Sequence, residues 1–213
     1  WILGAFAAGI GATVLLAGTL PVFTFIWLTV PLVVLLAKKD AARLGIRAIA
    51  SAELLRVTAI NVAVWWGLMA IFEPWTHIYR DLVREAVSGT TPDTTFGWLI
   101  RFPGPAGWAG IALYSGLVTL FAEELFFRGW LLQFLLRRMK PWWAIVLQAA
   151  FFSIPQLVVM LLFPPLQAIV WIVVYSWLAV GVAGGWAATR TGSIWPSLIA
   201  ATVTNLVLTA LVF

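Results

Sequence analysis

Two glutamates and an arginine stand inside an otherwise apolar run, LFAEELFFRGWLL at residues 120–132. A carboxylate held away from bulk water can serve as a general base, and an arginine one helical turn away is the natural partner of a second carboxylate. Glu124 and Arg128 are spaced i, i+4, which puts them on one helix face within pairing distance. Glu123 points about 100° away from that face and must find its surroundings elsewhere. One Glu–Arg pair suffices as a structural staple. The second, unpaired glutamate is harder to explain as structure, and burial is how a carboxylate becomes a usable general base. A buried ion pair beside a neutral, hydrogen-bonded Glu123 is the non-chemical reading of the same residues.

Few other polar residues interrupt the apolar segments. Gln156 follows Pro155 in FFSIPQL, and Pro155, having no N–H, is expected to free the carbonyl of Phe151. Asn205, Thr202 and Thr204 lie in the last apolar stretch, which opens on GSIWPS. Ser193 is the expected cap there, and Pro196 suits a first helical turn. Singly, Gln156 and Asn205 read as interhelical hydrogen-bonding residues as readily as catalytic ones. The single histidine, His77, falls at the far end of its segment, away from the glutamates in depth. With one histidine and no cysteine, the composition offers no multi-histidine or thiolate metal site, no disulfide and no cysteine nucleophile. No cofactor is assigned.

The elements that must carry these residues follow from composition. Of 213 residues, 63% are hydrophobic and 10% charged, with a mean hydropathy of +1.02. A soluble domain carries about a quarter charged residues. The expectation is an all-α, polytopic transmembrane bundle forming a single integral membrane domain over 1–213. Apolar runs of about 20 residues mark seven spans, near 2–18, 20–37, 55–78, 107–136, 142–163, 166–188 and 194–213. Residues 79–105, with TTPDTT and PGP, form the longest polar connection. The chain opens on Trp1 rather than Met, so residues are expected to precede it or to have been removed.

The net charge of +5 does not mark a nucleic-acid partner, because the basic residues fall in short connections between spans. Nine lie in or beside the connections after spans two, four and six, three lie on the opposite side, and Arg128 lies within a span. The positive-inside rule then puts the N-terminus in the cytoplasm. Counting back from Arg137 puts Arg128 about 14 Å and the glutamates about 20 Å inside the span. An ionisable group there costs about 2.5–3.5 kcal/mol to insert and should face the protein interior. Gly181 and Gly185 form a small-xxx-small pair, read as close helix packing within the monomer. Gly4, Ala5, Ala8 and Gly9 are read likewise.

The motif residues resemble those of the CPBP family, the CAAX-prenyl-protease and bacteriocin-processing (Abi-type) intramembrane proteases. EELFFR at 123–128 is similar to the family's EExxxR, FSIPQ at 152–156 to its FxxxH, and GSIWPSLIAATVTN at 192–205 to the helix carrying HxxxN. The resemblance covers about 105–206, with RLGIR after span two as a weaker echo. It implies a glutamate-dependent endopeptidase site. Glu123 would be the base, Glu124 the partner of Arg128, and Asn205 an oxyanion donor. The departures are Gln156 and Ala201, which stand at the two histidine positions. Gln156 can hydrogen-bond but cannot titrate, and Ala201 can do neither.

Two functions follow. In the first, the chain is a pseudoprotease whose catalytic set is vestigial. It would act as a binding or scaffold subunit of a bacterial or archaeal cytoplasmic membrane, with a membrane protein, a transmembrane or prenylated peptide, or lipid as partner. In the second, it is a divergent active endopeptidase in which Gln156 orients water for Glu123. A transporter is a weaker reading, because no inverted repeat is visible.

Overall fold

The computed structural model describes residues 22–38, 41–78, 80–81, 104–113, 120–161 and 163–212. Every described regular element is helical. Helix α1 spans Val22–Lys38 and leads into a 3₁₀ turn, Ala41–Leu44. Helix α2 spans Ser51–Thr76, and the short α3 spans Pro105–Ile111. Helix α4 is continuous through three stretches: Phe121–Glu124, a π-helical Leu125–Leu131 and Leu132–Leu136. Helix α5, Pro141–Ser153, tightens into a 3₁₀ stretch, Ile154–Leu161. Helix α6 runs through Pro165–Val170, a π-helical Trp171–Val182 and Ala183–Thr191. Helix α7 spans Trp195–Val212.

These helices overlie the expected spans from the second to the seventh. The first, near 2–18, lies outside the described residues, as do TTPDTT and the small residues Gly4, Ala5, Ala8 and Gly9. Among the described residues α2 and α6 are long and apolar enough to cross a membrane. At 26 residues, α2 would be about 39 Å long, more than the hydrocarbon thickness of about 30 Å.

One expectation needs correction. Pro155 does not leave the carbonyl of Phe151 without a partner. The chain tightens to 3₁₀ geometry at this point, and the N–H of Ile154 bonds to Phe151 O. Shifting from i→i+4 to i→i+3 partners lets the backbone absorb the donor that proline lacks.

Close backbone approach holds the bundle around α4. Gly181 of α6 faces α5, where a Cβ on it would lie 2.7 Å from that of Ala149. A Cβ on Gly185 would lie 2.8 Å from Gln148 Oε1, so both glycines serve packing within the monomer. Between α4, α5 and α6 the core holds Phe126, Phe127, Leu132, Ala149, Phe152 and Val182. The RLGIR segment docks at one end of α4. Leu44 packs on Leu125 and Ile194, the N–H of Ile194 donates to Gly45 O at 3.0 Å, and Ser193 Oγ donates to Arg47 O at 2.9 Å. Ser193 Oγ also accepts from the N–H of Trp195 at 3.4 Å, as expected of a cap.

Candidate functional site

Helix α4 carries Glu123, Glu124 and Arg128 to the centre of the bundle. Arg128 Nη1 lies 3.2 Å from Glu124 Oε1, with both side chains withdrawn from solvent. Its Nη2 donates to the carbonyl of Val180 on α6 at 2.7 Å. Its guanidinium carbon lies 4.4 Å from the ring centroid of Phe152 on α5, a cation–π contact. Glycine at 184 leaves room for this approach, since a Cβ there would lie 3.0 Å from Nη2. Arg128 therefore ties α4 to both α5 and α6.

The other oxygen of Glu124 reaches α7. Ser197 Oγ lies 2.5 Å from Glu124 Oε2 and 3.0 Å from the carbonyl of Ile194. A hydroxyl has one proton, and the carboxylate is the nearer and more strongly polar acceptor. Beside this cluster a void of about 20 Å³, bordered by Asn61, Glu124, Arg128 and Ala201, has room for one water.

Glu123 makes no hydrogen bond to this network, although the charges of Arg128 and Glu124 act on it. It is half-buried and has no hydrogen-bond or ion-pair partner among the described residues. It faces a larger cavity of about 130 Å³ that also borders Gln156, Ala201 and Asn205. The walls include Trp65, Phe152, Trp171 and Tyr175. Ala201 and Thr204 border both cavities, so position 201 stands where they adjoin. Trp171 Nε1 donates to Gln156 Oε1 at 3.1 Å. Because indole only donates, this bond fixes the amide with its oxygen toward Trp171.

The residues singled out from the sequence thus meet in two adjoining places. Glu124 and Arg128 pair within α4 and tie it to its neighbours through Ser197, Val180 and Phe152, while Glu123, Gln156, Ala201 and Asn205 share one cavity. His77 is elsewhere, at the left-handed C-terminus of α2 (φ 52°), bordering a different depression with Trp66, Glu73 and Arg80. Sequence reasoning missed Ser197, Trp171, Tyr175 and Asn61. Ser197 had a partial signal, as a small polar residue in the first turn of an apolar helix. Its carboxylate partner lies 73 residues away and has no local signature. Among the described residues no three His, Cys, Asp or Glu side chains gather to hold a metal ion.

Residues 105–207 match the family of type II CAAX prenyl endopeptidases described as Rce1-like. The match encloses every candidate site residue, and this stretch of the chain is similar to that family. Together with the apolar helices α2 and α6, this likeness supports a membrane location for the chain. No curated protein and no solved structure matches the chain.

Proposed function

We propose that this chain is a proteolytically inactive member of the Rce1-like family, a membrane-embedded binding or scaffold subunit that holds a transmembrane or lipid-linked partner without cleaving it. One observation carries the reading. Glu123 shares its cavity with an amide at 156 and a methyl group at 201, and neither can take up or release a proton.

Hydrolysis of a peptide bond by water needs a base for the water proton, an acid for the departing amine and donors for the oxyanion. Glu123 is placed to act as the base. The amides of Gln156 and Asn205 can donate hydrogen bonds. Arg128 is engaged by Glu124, Val180 and Phe152, and no imidazole is present to move the second proton. Losing an oxyanion donor costs about 10²–10³ in rate. Losing a general acid–base group costs about 10²–10⁴ more. Together these losses remove about 10⁴–10⁷, enough to take an ordinary enzyme below useful turnover.

The second reading, a divergent active endopeptidase, is favoured by one feature: Glu123, Gln156 and Asn205 still face one cavity. Reconstituted membranes separate the two. Three proteins are compared against prenylated CAAX peptides and transmembrane substrates: the chain as written, Glu123→Ala, and Gln156→His combined with Ala201→His. The expected result is no cleavage by the first two. Cleavage by the chain as written that Glu123→Ala abolishes would overturn the proposal. Purification from native membranes in mild detergent should recover the chain with a stoichiometric partner. The proposed setting is a bacterial or archaeal cytoplasmic membrane, with the basic connections facing the cytoplasm.

A further inference from the structure

A further cavity lies toward the other end of α4 from Glu123. It measures about 110 Å³ and is built by α1 through Val34, the 3₁₀ turn through Arg43 and Leu44, and α4 through Gly129 and Gln133, with Arg137 just past its end. Its lining is two-faced. Val34 and the rings of Trp130 and Phe134 supply apolar wall, while Arg43, Arg137 and Gln133 supply donors. Both arginines are exposed. The flanking segments 38–47 and 137–140 carry seven basic side chains and one acidic one, so the local field favours an anion.

We infer that this cavity binds the phosphate of an anionic lipid, with the guanidinium groups of Arg43 and Arg137 on the phosphodiester and the glycerol end of the acyl chains against Trp130 and Phe134. A guanidinium fork matches phosphate oxygens in pairs. Basic pockets between helices at the membrane surface are where lipid headgroups seat. The apolar wall is the argument for lipid over soluble phosphate, which would have no use for it.

The floor of the cavity is the docked RLGIR turn. Gly129 lets the Leu44 carbonyl come within 2.6 Å of where a Cβ would stand, and Leu44 reaches on to Leu125 and Ile194. An occupant bridging Arg43 and Arg137 would therefore clamp this turn against α4, one residue from Arg128.

The test uses the full chain in neutral detergent, titrated with equal amounts of phosphatidylglycerol and phosphatidylcholine of matched acyl chains, with bound lipid read by native mass spectrometry. Arg43→Gln with Arg137→Gln is compared with Arg56→Gln and Arg80→Gln, which remove the same charge from exposed sites elsewhere. The starting protein and the control pair should both prefer phosphatidylglycerol. At about 1 kcal/mol for each arginine, the cavity pair should lose that preference by about thirtyfold. A further arm adds millimolar inorganic phosphate. Retained lipid identifies the lipid as occupant, whereas displacement identifies the phosphate group alone as what is read and a soluble phosphate as its source. Equal loss in both variant pairs, or no preference in the starting protein, overturns the inference.

Discussion

Removing the charges at 124 and 128, singly and together, gives the most direct check on how the site is built. At a separation of 3.2 Å and an effective dielectric constant of about 20, the pair interacts by about 5 kcal/mol. Breaking a buried pair from one side costs about 3–5 kcal/mol, because the other charge stays behind. Arg128→Ala leaves Glu124 with only the Ser197 hydroxyl, and Glu124→Ala leaves Arg128 with the Val180 carbonyl and the Phe152 ring. The double variant removes both charges and leaves the Val180 carbonyl short of a partner, at about 1–3 kcal/mol, while Ser197 keeps the Ile194 carbonyl. Each single variant should therefore lose about 3–5 kcal/mol, and the double should fall short of their sum by about 3 kcal/mol or more. Unfolding in mixed micelles with increasing dodecyl sulfate, followed by the fluorescence of the 14 tryptophans, measures all three. Ser197→Ala supplies an internal control. It should cost about 1.5–3 kcal/mol when Glu124 is present and far less when Glu124 is already alanine. Single losses that add to the double within about 0.5 kcal/mol would refute the pairing.

Two further outcomes are expected. Gly129→Ala should cost about 1–3 kcal/mol in the same titration, since its Cβ would meet the Leu44 backbone carbonyl, which cannot step aside as a side chain can; an unchanged midpoint would mean the RLGIR turn is not docked on α4. Because the chain has no cysteine, single cysteines introduced at positions 42 and 93 report topology cleanly, with the first expected to label from the cytoplasmic side and the second only from outside; the reverse pattern would refute the orientation.

What the sequence made legible was whatever depends on local spacing. Glu124 and Arg128 pair because i, i+4 residues share a helix face, and this survives the change to π geometry just after Glu124. Glu123 stands apart from the pair for the same reason. Helix positions follow from apolar run length, a property of composition alone. The π-helical stretches had no such signal, since LFFRGWL and WIVVYSWLAVGV read as ordinary apolar helix. The Ser197–Glu124 and Trp171–Gln156 bonds were equally hidden. Each joins separate helical stretches whose meeting depends on tertiary packing. Gly184 illustrates the limit: nothing in the sequence singles it out, yet a Cβ there would crowd the guanidinium of Arg128.

The motif separates into residues that hold helices together and residues that do not. Glu124 and Arg128, paired with each other within α4, link it to α5, α6 and α7 through two short hydrogen bonds and a cation–π contact. Glu123, Ala201 and Asn205 share a cavity, and none of their side chains bonds another helix among the described residues. Gln156 forms one such bond, to Trp171, through an amide oxygen that needs no ionisation. A chain can therefore change positions 156 and 201 without unfastening the bundle, whereas changing 124 or 128 strands a charge in its interior. The contacts of Glu124 and Arg128 thus account for a buried glutamate and arginine beside a glutamine and an alanine without calling on catalysis. Their presence is evidence about the fold first, and about catalysis only where Glu123 can be shown to matter.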